Sequence, residues 1–512
     1  MSSHDTLKHS PAILGGLIVF IWYAVVFVRR KWKQNRFAWE NQCMPPYSIP
    51  SKSFGLNIIL ETIAAAKQHK VLELGLNRFD TYGNTFKAQN LTNTIITTRE
   101  PQNIKTVLSL RFKDYGLGNR IQTFGPLLGH GIFTADGEHW AQSRSMVRSS
   151  FSKDRVTHLE TFEELMRDLF KLIPTDGSTV DLQDLFFCYT MDSATDFLFG
   201  HSTHTLRRYG HDAGDQTSWD FGSAFNYAQD AIAMRGRMGP LKIFYRDRKA
   251  HDANRRCQEL VEDFVDQALR YRQELDNEAC PEKNPTISMP KYLFLYKLAQ
   301  KTGDRIRIRD ELMNVLLAGR DTTASLLSNM FFMLAKTPEV WTKLGVEISM
   351  LEGCAPTYDQ LRNLTYLKYC MNESLRLHPV VPVNARFAVT DTVLPVGGGK
   401  DGQSPVFVPK GTTVRYNLYS MHRREDFYGP DAHVYRPERW EKLRTGWEYL
   451  PFNGGPRICV GQQYALTEAA YVTVRLAQQF PILESRDSNS WRENLTFTLC
   501  SENGCKVSLQ QV

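Results

Sequence analysis

The sequence lacks the features that would divide a chain of 512 residues into separate domains. After about residue 55 there is no Pro/Gly/Ser-rich linker, no low-complexity run and no internal repeat. Chain length alone would predict two or more domains, so this absence favours one large unit that follows a short N-terminal attachment.

Strong charge is also missing from the sequence. The net charge is +7, and the basic residues are dispersed instead of forming a stripe between aromatic side chains. This distribution argues against nucleic acid as a partner. A mildly positive surface remains compatible with an acidic protein partner or with an anionic membrane surface.

Cysteine pairs with the spacing C-x-x-C are absent, although the chain has nine cysteines. A zinc cage or a thioredoxin-like site therefore has no support. The odd number and irregular spacing are typical of a reduced compartment, where most cysteines are small buried apolar residues.

Residues 12–28 form an apolar run without a charged side chain, long enough as a helix to cross a thin bilayer. Five cations follow the run directly, whereas one precedes it, and this order places the rest of the chain in the cytosol. A cleaved signal peptide would carry its charge before the run, and a core helix would not be uniformly apolar beside five cations. The sequence thus predicts an uncleaved transmembrane helix that anchors the chain in a membrane. Residues 1–11 would be lumenal, residues 29–50 a basic and Pro-rich linker, and residues 51–512 one large cytosolic domain.

The rest of the chain has mostly helical periodicity with a small β region. A long helix is predicted over about 308–335, a second over 364–378 and a third over 462–480. Between 383 and 416 alternating apolar residues and Gly-rich turns indicate short strands. The fold class is therefore mainly α.

The stretch Phe452–Gly461, FNGGPRICVG, is the most informative part of the sequence. Cys459 lies just before a predicted helix, whose dipole and free N–H groups stabilise a thiolate. Gly454 and Gly455 have no side chain, so a flat ligand could approach the backbone closely. Arg457 adds a cation that could pair with a carboxylate of such a ligand. A glycine-rich turn that contains a cysteine by chance is the alternative.

The complete pattern F-x-x-G-x-R-x-C-x-G resembles the cysteine-ligand loop of the cytochrome P-450 family, in which a thiolate binds the iron of haem b. Its fixed positions are met by Phe452, Gly455, Arg457, Cys459 and Gly461. The resemblance implies that Cys459 is the iron ligand and that Phe452, Arg457 and Gly461 bind the cofactor. It also implies the family's fold, a triangular prism of helices.

Glu373 and Arg376 have a spacing that puts two side chains on one helix face, where they can form an ion pair. The spacing alone is weak, but its place in the chain resembles the family's E-x-x-R helix. Arg439 resembles the arginine that joins this pair behind the cysteine loop, and Trp440 stands where the family usually has phenylalanine. The resemblance therefore implies structural bracing by Glu373, Arg376 and Arg439, whose buried charges must be fully paired.

The segment 318–323, AGRDTT, lies in the middle of the long predicted helix, where glycine and two threonines reduce helix stability. Gly319 could allow a small ligand to lie against the backbone, although an ordinary helix–helix contact through small residues is the alternative. The segment resembles the family's oxygen-binding groove. On that resemblance Asp321 would gate a proton relay and Thr322 would supply the hydroxyl that stabilises the activated oxygen, so both are candidate catalytic residues.

Trp140 and Arg144 resemble the family's W-x-x-x-R helix, which contacts the haem propionates; a surface cation–π pair is the alternative. Arg386 and Arg457 are further propionate-binding candidates by resemblance, because two carboxylates must be neutralised inside the fold. His422 lies in a comparable context and is interpreted as a structural histidine.

The resemblance implies a monooxygenase that inserts one atom of O₂ into a C–H bond of a hydrophobic substrate. Its electrons would come from NADPH through a separate membrane-bound reductase, since this chain has no room for a flavin domain. Two other classes remain open. A haem-thiolate isomerase or dehydratase often lacks the acid-alcohol pair, and a non-catalytic haem-binding sensor or carrier has no need for an oxygen groove.

Several local features look most like the fungal alkane and fatty-acid hydroxylases. These are Arg320 within AGRDTT, the run 127–133 and the run 394–402. Residues 112–133 should roof the substrate pocket with apolar side chains. We expect the side chains that line the pocket to include Phe112, Tyr115, Leu117, Ile121 and Phe124. Terminal hydroxylation of a long-chain fatty acid or alkane is the first interpretation, and hydroxylation of a polyketide or terpenoid in fungal secondary metabolism is the alternative.

Overall fold

A computed structural model of the chain describes residues 10–91, 93–151, 159–209, 221–277 and 294–511. The fold is mainly helical with a smaller β region, as the sequence predicts. The helices in chain order are α1 Ser10–Glu40, α2 Leu56–Lys67, α3 Val71–Tyr82, α4 Pro101–Lys105, α5 Arg120–Leu128, α6 Gly137–Arg148, α7 Glu160–Phe170, α8 Leu182–Phe199, α9 Thr205–Arg208, α10 Phe221–Met238, α11 Arg248–Asn277, α12 Phe294–Lys301, α13 Arg305–Lys336, α14 Pro338–Ser349, α15 Tyr358–Asn363, α16 Thr365–Leu377, α17 Leu418–Met421, α18 Glu425–Tyr428 and α19 Gln462–Gln479. One-turn 3₁₀ or π segments occupy 53–55, 106–110, 112–114, 239–244, 437–441 and 455–457.

Helix α13 is the central element of the fold. Most of its side chains are buried, and they lie on every face of the helix. Its first turn is capped by Asp304, whose carboxylate accepts a hydrogen bond from the Arg307 N–H at 3.1 Å. The helix ends before Pro338, which begins α14. A helix that is buried all round must be covered by other elements, so the neighbours of α13 form the core.

Helices α8, α16 and α19 contribute, together with α13, to the largest cluster of buried apolar side chains. Within it, Phe186 of α8 and Phe331 of α13 have ring centroids 5.2 Å apart. The three predicted helices correspond to α13, α16 and α19, and their bounds agree with the prediction to within three residues. Helical periodicity therefore located the elements that build the core.

Within the described residues, the β region consists of one larger sheet and three smaller ones. The strands in chain order are β1 Tyr47–Ser48, β2 Thr85–Asn90, β3 Asn93–Thr98, β4 Tyr115–Gly116, β5 Val180–Asp181, β6 Val383–Ala388, β7 Thr392–Gly398, β8 Ser404–Val408, β9 Thr413–Asn417, β10 Ile482–Ser485, β11 Glu493–Leu495, β12 Leu499–Ser501 and β13 Lys506–Gln510. The larger sheet has the order β1-β2-β3-β9-β6-β4, and the smaller ones are β10-β13-β5, β11-β12 and β7-β8. The predicted strands at 383–416 are thus confirmed as β6 to β9.

The larger sheet combines strands from distant parts of the chain. Strand β3 pairs in parallel with β9, from Ile95 opposite Thr413 to Thr98 opposite Tyr416. Strand β6 continues the sheet antiparallel to β9. The sheet therefore joins the N-terminal strands to the segment that precedes the cysteine loop.

Helix α1 contains the apolar run at residues 12–28. The large apolar side chains of residues 17–28 are between 43% and 71% exposed. In the part of the chain that the structure describes, no helix combines the length and the hydrophobicity that crossing a membrane requires. That finding does not extend to the side chains of residues 10–14, and residues 1–9 of the predicted lumenal segment lie outside the described residues. The transmembrane anchor therefore stays a prediction.

Candidate functional site

The loop that carries Cys459 is closed by hydrogen bonds within its own backbone. The Cys459 N–H donates to the carbonyl of Phe452 at 3.0 Å, and the Ile458 N–H donates to the carbonyl of Gly455 at 3.0 Å. A 3₁₀ turn at 455–457 precedes the cysteine, and α19 begins three residues after it at Gln462. The loop therefore holds one thiol at a fixed position ahead of a helix N-terminus.

Gly455 is required by the close approach of two backbone segments. It has a φ of +67°, and a Cβ atom at this position would lie 1.9 Å from the carbonyl oxygen of Leu108. Any side chain would therefore collide with the turn at 106–110. The glycine pattern of this loop thus has a packing cause that the sequence alone did not reveal.

The surroundings of Cys459 combine burial with an open side. The residue is exposed, yet burial among protein atoms raises the pKa of its thiol, while the Gly461 N–H and the Arg144 guanidinium lower it. Both properties fit a thiol that faces a recess within the protein. A thiol in such a place loses its proton when it binds a metal ion.

The predicted propionate-binding residues surround the cysteine loop. Arg144 donates to a carbonyl of this loop, that of Ile458, at 2.9 Å. Arg457 donates to Asp136 at 2.6 Å, and its guanidinium lies over the Trp140 ring at 4.4 Å. The structure thus brings Trp140, Arg144 and Arg457 together, in contact with the loop or with one another.

Arg386 and a further arginine, Arg120, extend this cluster. Arg120 donates to the Asn384 side chain at 2.8 Å. Burial, and after it the charge of the neighbouring Arg386 guanidinium, lowers the pKa of Arg120 to about 10. Burial likewise lowers the pKa of Arg457 to about 10, against the opposing effect of Asp136. Sequence reasoning missed Arg120 because no local motif distinguishes it from a surface arginine.

The cluster has a surplus of positive charge that a dianionic ligand would neutralise. Among the described residues, Asp136 is the carboxylate that pairs directly with it, whereas Arg120, Arg144, Arg386 and Arg457 are four cations. The Nε atom of Arg386 is buried without a hydrogen-bond partner. Because buried charges need partners, these residues fit the two propionates of haem, with the Cys459 thiol available for the iron.

Glu373 is the centre of a buried network. Its carboxylate accepts bonds from Arg376 at 2.8 and 2.9 Å and from Arg439 at 3.2 Å. It also accepts bonds from the Trp440 indole at 3.0 Å and from the Arg436 backbone N–H at 3.0 Å. Both carboxylate oxygens are therefore fully used, which is the condition under which a buried ion pair is tolerated. Trp440 stands where the family usually has phenylalanine, and its indole N–H, a donor that phenylalanine lacks, is a partner of Glu373.

His422 connects this network to the cysteine loop. Its carbonyl accepts a hydrogen bond from Arg376 at 2.9 Å, and its Nε2 atom accepts one from the Leu450 N–H at 3.0 Å. Burial lowers the pKa of His422 to about 3, and the charges of Arg376 and Arg423 add to this effect. The ring is therefore neutral, and these contacts fit a structural histidine.

The side chains of Asp321 and Thr322 lie in the middle of α13. The Thr322 hydroxyl donates to the carbonyl of Ala318 at 2.6 Å. Asp321 accepts from its neighbour Arg320 at 2.8 Å. Burial raises the pKa of Asp321, whereas Arg320 and Gln229 of α10 lower it. The carboxyl group is thus held between two helices, a feature that the sequence did not indicate.

The interpretation of Gly319 as an opening for a small ligand stays a prediction, and the structure adds a packing role for the same residue. A Cβ atom built on Gly319 would lie 3.3 Å from the Cβ atom of Ala194 in α8. The missing side chain therefore permits α8 and α13 to pack closely, which is the helix–helix alternative considered for this residue.

The predicted pocket roof, residues 112–133, includes helix α5. The ring of Phe124 in α5 contacts the ring of Phe497, with centroids 4.7 Å apart. Phe497 lies between β11 and β12, where Thr498 accepts a hydrogen bond from Ser325 of α13 at 2.9 Å. Phe124 is thus connected through this hairpin to the turn of α13 that follows Thr322. Sequence reasoning missed the hairpin because its short strands carry no motif.

The other predicted lining residues are more dispersed. Phe112 packs against Trp140, with ring centroids 5.6 Å apart. Tyr115 and Leu117 are buried, and Ile121 is 36% exposed. The structure therefore does not gather all five predicted residues around Phe124.

The family model described as Cytochrome P450 matches residues 50–504. The chain is 49% identical to cytochrome P450 monooxygenase himC of Aspergillus japonicus over 98% of this chain and 90% of that protein. It is 45% identical to cytochrome P450 monooxygenase fsdH of Fusarium heterosporum, over 98% and 89% respectively. It is 41% identical to cytochrome P450 52A13 of Debaryomyces hansenii, over 95% and 97%.

Proposed function

Because the chain belongs to the cytochrome P450 family, we propose that it hydroxylates the terminal carbon of a long-chain fatty acid or alkane. The broader activity follows from the family itself. The protein is a haem-thiolate monooxygenase, an oxidoreductase that uses haem b, O₂, a hydrophobic substrate and electrons from a reductase. The proposal concerns the residues that do this and the substrate that they receive.

The observation that carries the chemistry is the closed loop that presents Cys459 beside four arginines. Cys459 would bind the iron, and Arg120, Arg144, Arg386 and Arg457 would pair with the propionates, with Trp140 packed against Arg457. The Phe452 carbonyl would hold the Cys459 N–H, and the Gly461 N–H would stabilise the Cys459 thiolate. When bound, haem b supplies the reductive activation of O₂ and the insertion of one oxygen atom.

Asp321 and Thr322 would deliver protons to the reacting oxygen. Burial favours the protonated form of the Asp321 carboxyl group, which is thereby suited to give up a proton in a water-poor site. Arg320 and Gln229 would hold that group in place. The lone pairs of the Thr322 hydroxyl remain free, because its hydrogen is donated to the Ala318 carbonyl.

An aliphatic substrate is supported by the apolar and aromatic residues above α13. Phe124 and Phe497 present ring faces and edges in place of polar groups, and such walls suit an alkyl chain. The likeness of the runs at 127–133 and 394–402 to the fungal alkane and fatty-acid hydroxylases supports the same substrate. Terminal attack requires that the chain end, and no bulkier part, reaches the haem.

A polyketide or terpenoid hydroxylase is the second candidate. The edge-to-face pair of Phe124 and Phe497 suits this candidate equally well, because aromatic walls also accommodate fused rings. The two substrates differ in shape, so binding measurements distinguish them.

We further propose attachment to the endoplasmic reticulum membrane through residues 12–28, with residues 51–512 in the cytosol next to a membrane-bound reductase. The exposed apolar side chains of residues 17–28 support this attachment, since a contiguous exposed apolar surface marks a membrane or protein contact.

The test combines purified protein with a reductase, NADPH and one of three probes: hexadecanoic acid, hexadecane or a cyclic terpene. We expect O₂ uptake that depends on NADPH and yields the terminal alcohol of the linear probes. The Cys459→Ser variant should lose the thiolate-specific absorption of the ferrous carbonyl complex together with this activity. Turnover without O₂ would indicate an isomerase or dehydratase, and oxidation of the terpene alone would favour the second candidate.

A further inference from the structure

Arg235, near the end of helix α10, is a cation whose inner edge has no partner. Its Nε atom is buried without a hydrogen bond, and its guanidinium forms no ion pair with any residue that the structure describes. At helical spacing Arg235 follows Ala228, Ala231 and Ile232, so it continues the buried stripe of α10. Because a buried polar group is normally hydrogen-bonded, this one indicates a place for an anion.

Lys242, in the 3₁₀ segment that follows α10, brings a second cation to the same place. Burial lowers the pKa of the Lys242 amine, and so does the charge of Arg235. Two neighbouring cations repel each other, and a bound anion would offset that cost. Among the described residues the amine donates to one group, the Thr123 hydroxyl at 3.2 Å, so two of its three hydrogens remain for a ligand.

The two carboxylates nearest in sequence are engaged elsewhere. Asp247 accepts hydrogen bonds from the hydroxyls of Tyr227 and Tyr245, at 3.1 and 3.0 Å. Asp230, the acidic residue of α10, has Arg237 as its cationic neighbour. Neither carboxylate forms an ion pair with the two cations described above, which therefore keep their positive charge for a ligand.

The contact between Lys242 and Thr123 places the two cations at the roof of the proposed pocket. Thr123 is buried in α5 and precedes Phe124. The ring of Phe124 contacts the ring of Phe497, with centroids 4.7 Å apart, and this pair is the aromatic wall of the proposed function. A ligand held by the cations would therefore have an apolar surface beside it.

Helix α10 also connects Arg235 to the oxygen side of α13. Gln229 of this helix is buried and hydrogen-bonds the Asp321 carboxyl group. Arg235 is six residues further along the same helix, which corresponds to about 9 Å. If a carboxylate is held at Arg235, a long alkyl chain can reach from there towards Thr322, whereas a short acid cannot.

We propose that Arg235 and Lys242 together bind the carboxylate of a long-chain fatty acid and so direct the opposite end of the chain towards the haem. This inference rests on the proposed function and refines it, because it makes the acid a better ligand than an uncharged chain of equal length. The Nε–H of Arg235 and a second N–H of the same guanidinium can contact one carboxylate at once, and the Lys242 amine adds a point charge.

The test is a spectral binding titration of the haem-loaded protein with hexadecanoic acid and with methyl hexadecanoate. We expect the unmodified protein to bind the acid more tightly than the ester. Arg235→Gln should weaken acid binding by about ten- to a hundredfold, the usual effect of losing a charged hydrogen-bond partner, and leave ester binding within about twofold. Lys242→Gln should weaken acid binding by about threefold or more, since it removes the point charge and leaves the guanidinium. Arg246→Gln, which removes an exposed cation from the loop after Lys242, is the matched control and should leave the ratio of acid to ester affinity unchanged.

An unchanged ratio of acid to ester affinity in Arg235→Gln would overturn the proposal. An equal change of this ratio in Arg246→Gln would also overturn it, because the effect would then come from the general charge of the loop. If Arg235→Gln does not fold, Lys242→Gln decides by the same ratio. The proposed function fails separately. A protein that shows the expected change in ratio but oxidises neither probe would retain the carboxylate site and lose the hydroxylase assignment.

Discussion

At the residue scale, the hydroxyl of Thr322 offers the clearest test of proton delivery. Its hydrogen is committed to the Ala318 carbonyl at 2.6 Å, so its oxygen can accept a proton or a hydrogen bond from the reacting site. In Thr322→Ala we expect product formed per NADPH to fall by about tenfold or more, with the electrons recovered as hydrogen peroxide, since positioned proton transfer contributes about 10²–10⁴ in rate.

Thr322→Ser is the control, because it keeps the hydroxyl and removes the methyl group. It should retain most of the coupling. Equal coupling in the unmodified protein and in Thr322→Ala would remove Thr322 from the relay.

Glu468 of α19 provides a residue-scale prediction about pH. It is buried, and burial raises the pKa of its carboxyl group to about 7, against the opposing effect of the Ser193 and Thr323 hydroxyls. A carboxyl group whose pKa is raised by folding binds more protons in the folded state. Its contribution to stability is therefore complete below the unfolded pKa of 4.5 and is lost as the pH rises through about 7.

Glu468→Gln keeps the shape of the side chain and removes its titration. The measured quantity is the free energy of unfolding of the variant minus that of the unmodified protein. We expect this difference to be about 2 kcal/mol more favourable to the variant at about pH 8 than at about pH 5.5. Denaturant unfolding at both pH values measures this, with the exposed Glu441→Gln as control. A difference between variant and unmodified protein that does not change with pH would contradict the expectation.

The sequence predicted individual site residues best where a motif fixes them. The structure brings Glu373, Arg376 and Arg439 into one network and surrounds the Cys459 loop with the expected arginines. Arg120 could not be predicted, because its part in the cluster depends on contacts with residues more than two hundred positions away. For Gly319 the sequence left two interpretations open, because a missing side chain leaves room for a ligand or for a helix, and the short distance to Ala194 adds support for the helix contact.

At the scale of elements, the end of helix α5 is joined to α13 by a tight polar contact. The His130 N–H donates to Asp310 of α13 at 2.6 Å, and Arg309 donates to the same carboxylate at 2.7 Å. Gly129 has a φ of +61°, and a Cβ atom at this position would lie 2.0 Å from the Asp310 carboxyl carbon. A glycine is thus required here for two reasons: the backbone has a positive φ, and the Asp310 carboxylate leaves no room for a Cβ atom.

Gly129→Ala should therefore lower the free energy of unfolding by about 2 kcal/mol or more and weaken binding of linear substrates, because α5 forms part of the pocket roof. Gly402→Ala is the matched control, since Gly402 also has a positive φ, +69°, but nothing lies within 4 Å of the position of its Cβ atom. The difference between the two variants isolates the collision with Asp310. Similar losses in both would show that this contact is unimportant.

Elements were predictable in proportion to how local their determinants are. Helices α13, α16 and α19 follow from periodicity within one segment, and their bounds were close to those observed. Strand β3 is positioned by parallel pairing with β9, more than three hundred residues later in the chain. The hairpin β11–β12 is positioned by contacts with α3 and α13. Pairing over such distances leaves no periodic pattern in the sequence.

At the scale of the whole molecule, α1 has two parts with different surroundings. Its C-terminal part packs on the β7–β8 hairpin, where the Phe37 and Phe407 rings have centroids 5.6 Å apart. Gln34 is buried and donates to Asp391 at 3.4 Å. The apolar side chains of residues 17–28, in contrast, are exposed. Attachment to a membrane and packing on the hairpin therefore belong to different segments and can be removed separately.

Two truncations separate these roles. Removal of residues 1–28 should release the protein from membranes during an alkaline carbonate wash, because the exposed apolar side chains are lost. The ferrous carbonyl spectrum should persist, and the free energy of unfolding should change by less than about 0.5 kcal/mol, since no described contact of Gln34 or Phe37 is removed. Removal of residues 1–40 should release the protein equally and also destabilise it, because these contacts disappear. If the chain without residues 1–28 still sediments with membranes after the wash, then the apolar run does not provide the attachment, and the surface that holds the protein to the membrane lies in the remaining domain.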